Sequence, residues 1–479
     1  MLQTRKNRIS MELPNKNQGT IKDNLHKLYL ILAILLGTIS AVVSPIFNEP
    51  DGPYHFEASA KIVGLVVDTS RYGESEVTSG MSGQSAAYLD GTHFEKYYLN
   101  QAYITSYKNI PRDISAKPGS FGWWGHLVPA AGIWIGYHIY PSLGVMTIFG
   151  RLLPLFIYSL AMFFIIKRLR RGKLTFTALM LSPVVISQFS SFSYDALSYL
   201  IVAAAIALAI NIVDRNKIDT KSILELLLMS GVLYMGVKTN FKTIIAFYPL
   251  IVFAIFYTRY KEKRVLKRER LRGNLSEDDL ITRVHKKSSV FGLKFLLIGS
   301  GVIASLTALI LALQSYGGII YVLKRFVFNL IRNLASSSLL SMFSSPYRTN
   351  QIPAWVTIAW FIVFAICLLS EEHFVKSKLI SYGAGILFLA NIAAVYFSFM
   401  VSGYVDSTTS TANQILGAIS GVQGRYFTPL LLLLILFVGN KKFKVKVEMS
   451  NSIIVTVVGL VVVSNVILII NSLWTLISA

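Results

Sequence analysis

Apolar residues run along this chain in blocks too long for strands and nearly free of charge. The first, Leu28 to Ile46, is 19 residues with no charged side chain. At 1.5 Å per helical residue it is long enough to cross a hydrocarbon layer about 30 Å thick. Similar blocks lie near 143–166, 174–192, 196–213, 290–313, 353–370, 379–400, 426–438 and 452–473. Two shorter ones, near 222–237 and 243–257, read as a pair. Helices satisfy their own backbone polar groups in lipid, so the pattern predicts an all-α polytopic membrane protein. About 11 transmembrane helices fit, with a range of roughly 9 to 13.

The polar intervals are uneven. A tail, residues 1–27, precedes a single membrane domain, residues 28–479. Phe47 to Ser142 is far longer than an ordinary connection and is expected to carry helices at the membrane surface. Asp51–Val67 mixes apolar and polar residues as such a helix would. Arg71–Gln84 is rich in Gly, Ser and Glu, as an exposed segment would be. Trp123 to Tyr140, with Trp124, Trp134 and Tyr137, suits an interfacial or re-entrant helix, because aromatic residues favour the headgroup region. Residues 314–352 set Lys324, Arg325, Arg332 and Arg348 among aromatic and apolar residues, and read as an external basic amphipathic segment on the outer membrane surface. Val401–Gly424 is rich in Ser, Thr and Gly. The tail, and Pro45 after a run of small residues, favour an uncleaved signal anchor over a signal peptide.

Charge orients this plan. The formal net charge is +22, and most of it lies in short segments of one parity. Lys167–Lys173, the loop 258–289 with 11 Lys/Arg against 5 Asp/Glu, and Lys441–Lys446 fall on one side. The positive-inside rule makes that side cytoplasmic, together with the N-terminus. The segment 47–142 carries 6 Lys/Arg and 9 Asp/Glu and falls outside. The basic excess is thus a topology signal and not a nucleic-acid footprint. The lone Cys367 can build neither a disulfide framework nor a zinc site.

Chemistry is sought where polar residues meet the outer ends of the spans. Asp51 precedes Pro53, at the position of a helix N-cap, and His55 follows one turn later on the same face. Capping alone would account for Asp51, and an interfacial histidine for His55. Asp195, in Ser193-Tyr194-Asp195, also stands where an N-cap belongs. Lys238, between the two short blocks, and Arg425, beside Tyr426, are cations that would either reach the interface as snorkelling anchors or grip a phosphate. There is no P-loop, Rossmann glycine pattern, zincin motif or nucleophile elbow, which argues against ATP hydrolysis by this chain. A divalent metal stays open, with no residue pattern that calls for one.

Four of these segments occur in an order that resembles a bacterial membrane family, domain-of-unknown-function family 2142, over roughly residues 28–440. Pro50-Asp51-Gly52-Pro53-Tyr54-His55 resembles its Pro-Asp-Glu-x-x-His motif. Ser193-Tyr194-Asp195, Lys238 and Gly424-Arg425-Tyr426-Phe427-Thr428-Pro429 are similar to three later ones. Gly52 departs from the pattern, standing where the family has glutamate; Glu49 and Glu57 are near but out of register.

The family in turn resembles the GT-C superfamily of membrane glycosyltransferases, which use polyprenyl-phosphate sugars. The resemblance implies an inverting transfer on the outer face of the bacterial cytoplasmic membrane. The donor would be a polyprenyl-phosphate-linked sugar, and the acceptor an envelope glycan or lipid. Asp51 would be the general base, and His55 would orient it or bind the acceptor. Asp195 would hold sugar hydroxyls or support Asp51. Arg425, Lys238 and Tyr426 would bind the lipid phosphate. The other readings are a transporter or flippase for a lipid-linked or anionic precursor, and a non-catalytic envelope-assembly factor. No internal repeat supports the transporter.

Overall fold

The computed structural model describes residues 24–68, 72, 94–105, 123–272, 311, 313–314, 316–335, 341–344, 352–401, 419 and 422–474. Most of the tail, nearly all of Arg71–Gln84 and of the block near 290–313, and most of 401–424 lie outside the described residues. In chain order the helices are α1 (Leu25–Val43), α2 (Gly52–Ile62), α3 (Trp123–Ile139), α4 (Leu143–Arg168), α5 (Lys173–Met180), α6 (Pro183–Phe189), α7 (Asp195–Arg215), α8 (Thr220–Gly236), α9 (Ile244–Arg272), α10 (Ile319–Ala335), α11 (Ala354–Ser370), α12 (Lys378–Val401), α13 (Leu433–Val438) and α14 (Asn451–Trp474). Short 3-10 turns cover Thr239–Thr243, Gly424–Tyr426 and Thr428–Leu432. A two-residue antiparallel pairing, Val66 with Thr105 and Val67 with Ile104, is a small departure from the all-α expectation.

Among the described residues, six segments are long and apolar enough to cross a membrane: α1, α4, α7, Thr239–Glu262, α12 and Asn451–Leu473. Ala354–Ser370 and Thr428–Val438 are shorter apolar helices. The protein is a multi-pass membrane protein.

The block near 174–192 is not one helix. It breaks into α5 and α6 at Leu181-Ser182-Pro183, where Ser182 is extended (φ −63°, ψ 150°). Pro183 lacks the amide a continuous helix needs and biases Ser182 away from helical geometry. Every residue from Leu174 to Phe189 is buried. Asn465 of α14 donates to the Leu181 carbonyl at 3.3 Å, so the break is satisfied inside protein and not in lipid.

Trp123–Ile139, read above as interfacial or re-entrant, is a continuous helix laid antiparallel on α4. Gly132 and Gly136 make this possible: a Cβ at either would fall within 3 Å of the α4 backbone at Phe149–Gly150 or Val145–Met146. Small residues at such a spacing let helix backbones approach closely.

The helices run between two ends. At one, Arg170 and Arg171 after α4 each pair with Asp214 at the C-terminus of α7, at 2.8 Å. Arg171 also pairs with Glu372, and Lys446 donates to the Glu371 carbonyl. Arg259 of α9 donates to the Asn216 carbonyl at 2.6 Å, and Lys376 lies 3.8 Å from Glu262. The three basic clusters therefore share one end. The first residue of α7, Asp195, lies a 21-residue helix away, about 30 Å.

Candidate functional site

The far end is organised by a charge inside the apolar run of α4. Arg151 reaches the loop that follows α1 and grips Glu49 with both fork atoms, Nε to Oε1 at 2.6 Å and Nη2 to Oε2 at 2.7 Å. It also donates to the carbonyls of Ser44 and Pro45, at 2.7 Å each. Both partners are buried. Glu49 is thereby committed to holding the loop, and Glu57 instead faces Lys61 at 3.9 Å. Neither replaces the missing motif glutamate.

The clamped loop carries two residues with left-handed backbone, Phe47 (φ 60°) and Asp51 (φ 57°). Such conformations persist where the surroundings over-determine them. The turn is so tight that a Cβ on Gly52 would lie 2.6 Å from the Phe47 carbonyl oxygen. A glutamate would not fit there without moving the backbone.

Asp51 does precede α2, but its side chain makes no cap hydrogen bond. A capping carboxylate works from extended backbone, and Asp51 is left-handed. Asp51 is exposed, whereas His55 is buried, so the shared face expected from helical spacing is not formed. The periodicity fails because Asp51 lies outside the helix. His55 Nδ1 instead lies 2.8 Å from His126 Nε2 of α3. Its ring packs edge-on against Tyr54 and Tyr194, with centroids at 5.2 and 5.0 Å. Burial, and next the neighbouring His126, lower the His55 pKa to about 3.

Asp195 is the first residue of α7 and not its N-cap, which is Tyr194; Ser193 Oγ accepts from the Asp195 amide at 3.2 Å. The Asp195 carboxylate is bound by Lys238 and lies 3.5 Å from Arg425 Nη1. Lys238 does not snorkel. Its ammonium sits between the rings of Tyr194 and Tyr426, at 4.6 and 4.8 Å. Asp195 is 3% and Arg425 4% exposed, so both charges are removed from water. The Arg425 turn is held by Tyr199, whose hydroxyl donates to the Arg425 carbonyl, and by Asn240, which donates to the Tyr426 carbonyl at 3.3 Å. Among the described residues Arg425 Nε has no hydrogen-bond partner. Asp51 lies within electrostatic reach of Lys238 and Tyr426.

The structure therefore gathers Asp195, Lys238, Arg425 and Tyr426 in one cluster, with Asp51 and His55 beside it. Two cations face one buried carboxylate, with Asp51 as a second carboxylate nearby, and Arg425 Nε is left as an open donor. Such a cluster can hold an anion. Among the described residues, no three His, Cys, Asp or Glu side chains gather to hold a metal ion.

Sequence reasoning missed His126, Tyr194 and Arg151. His126 lies two residues from Trp124, in a stretch read only for its aromatics. Tyr194 sits inside a motif read for its aspartate. Arg151 carried a clear signal, an ionisable residue inside a membrane-length apolar run.

The family described as "Predicted membrane protein (DUF2142)" matches residues 125–434. The match takes in Ser193–Asp195, Lys238 and Gly424–Pro429. It starts after Pro50–His55, and is narrower than the extent of 28–440 read from the motifs. No curated protein and no solved structure matches the chain. With well over half its length matched, the chain belongs to domain-of-unknown-function family 2142.

Proposed function

We propose that this member of family 2142 is an inverting glycosyltransferase of the GT-C type in the bacterial cytoplasmic membrane. It moves a sugar from a polyprenyl-phosphate donor to an envelope glycan or glycolipid on the external face. One observation carries the reading: a buried Asp195–Lys238–Arg425 cluster with an open guanidinium donor lies beside an exposed aspartate with left-handed backbone, whose side chain makes no cap bond.

Each group then has work to do. An acceptor hydroxyl attacks the anomeric carbon as the bond from that carbon to the phosphate oxygen breaks. The hydroxyl proton passes to Asp51, and polyprenyl phosphate leaves with the bonding electrons. Arg425 Nε and the Lys238 ammonium neutralise the charge that grows on the leaving phosphate. Asp195 sets their separation and keeps two buried cations from repelling each other. Tyr426 walls the phosphate side. His55, neutral and fixed by His126, is a hydrogen-bonding partner for the acceptor and not an acid. The donor arrives activated, in keeping with a sequence that has no nucleotide-binding motif.

The test is transfer from a polyprenyl-phosphate sugar by purified protein. Asp51→Asn keeps the shape and removes the base. Turnover should fall by roughly 10²–10⁴-fold, the usual worth of general-base catalysis, with thermal stability near wild type. Wild-type turnover in well-folded Asp51→Asn would remove Asp51 as the base. Movement of the lipid-linked sugar across a bilayer without transfer would instead establish the flippase.

A further inference from the structure

Helix α10 has three faces. Val322 and Asn329, seven residues apart, are buried against the bundle. Ile320, Leu323, Val327 and Ile331 recur at helical spacing and are exposed, forming a continuous apolar stripe. Lys324, Arg325 and Arg332 lie along the edge between the two. Arg325 donates to the Tyr321 hydroxyl at 3.3 Å, and its guanidinium lies 5.9 Å from the Phe328 ring. Residues 314–352 hold four Lys/Arg and no Asp or Glu. An apolar stripe flanked by cations and aromatic rings is the chemistry of a helix lying in the headgroup layer of an anionic membrane.

The same helix is fastened to the Arg425 turn. Asn329 Oδ1 accepts from the Ile419 amide at 2.9 Å. Just beyond α10, Ser341 Oγ accepts from the Gly424 amide at 2.7 Å, and the Met342 carbonyl accepts from Thr428 Oγ1 at 2.8 Å. These bonds bracket Arg425 on both sides. An aromatic path runs alongside: Phe326 meets Tyr396 at 5.8 Å, and Tyr396 stacks on Phe427 at 6.5 Å.

We infer that α10 is a docking surface for anionic phospholipid headgroups of the bilayer, and that this docking orders the turn carrying Arg425. The inference does not rest on the transfer reaction. It is read by hydrogen exchange on the full chain in nanodiscs of phosphatidylcholine, with and without phosphatidylglycerol. Phosphatidylglycerol should slow exchange several-fold in α10 and in residues 422–428. Lys324→Gln/Arg325→Gln/Arg332→Gln keeps the apolar stripe and should lose that response. Should the triple variant fail to fold, Lys324→Gln alone, at an exposed position, should weaken the response. Asn329→Ala should keep it in α10 and lose it at 422–428. Equal exchange of wild type in the two lipids overturns the docking, as does a charge variant that responds like wild type. Protection by inorganic phosphate in phosphatidylcholine alone would make the strip a simple anion site and also overturn it. An unchanged response at 422–428 in Asn329→Ala overturns the coupling.

Discussion

His55 and His126 meet through two buried ring nitrogens, so one must donate and the other accept. A second proton on His55 would be buried beside His126 and would face Lys238 and Arg425 as a further cation, opposed only in part by Asp195. This makes the folded protein sensitive to acid in a defined window. The unfolded chain protonates His55 near its ordinary 6.5, while the folded chain resists to about 3. Between those values the unfolded state binds more protons, so His55 contributes stability that is complete above about 6.5 and declines as pH falls. His55→Gln keeps a hydrogen-bonding group and cannot titrate. Melting temperatures between pH 6.5 and 5 should therefore decline less steeply in His55→Gln than in wild type. Equal slopes would mean that His55 is not held neutral. The sequence motifs put Asp195, Lys238, Arg425 and Tyr426 on the same list, and the fold puts them in contact. What the motifs could not supply is direction. Asp195 turns toward two cations and not toward its own helix amides, because its partners come from segments 43 and 230 residues downstream.

The loop between α1 and α2 is held by Arg151, through a bidentate contact with Glu49 across 102 residues and bonds to the Ser44 and Pro45 carbonyls. Glu49→Gln leaves the Arg151 guanidinium buried without its counter-charge, a loss of about 3–5 kcal/mol by the usual cost of breaking a buried pair. Glu49→Gln/Arg151→Met removes both charges and should be less destabilised than Glu49→Gln alone, as denaturation midpoints would report. Equal destabilisation would show that the loop is held by packing instead. The elements themselves were largely written in apolar periodicity and in Pro and Gly. The α5–α6 break follows from Pro183. The stripe on α10 is visible as spacing in 314–352. The α3–α4 contact was not legible as a contact, because Gly132 and Gly136 reveal a close approach only once the partner helix is known.

At the scale of the molecule, charge asymmetry read along the chain becomes a physical polarity, with basic clusters at one end and the candidate site at the other. If the basic end is cytoplasmic, a membrane-impermeant thiol reagent on intact cells should label Tyr54→Cys and spare Lys442→Cys, with Cys367 replaced by alanine. Both positions are exposed. The reverse pattern would put the site inside and remove the external reading of its reaction. The two ends also answer differently to ionic strength. Arg170, Arg171, Glu372, Lys376 and Glu262 pair in the open, where mobile ions screen charge over about 8 Å at physiological salt. Asp195 and Arg425 are walled from solvent, and dissolved ions cannot come between them. Added salt therefore loosens the basic end first, and leaves the charge pairing on which the proposed chemistry depends largely intact.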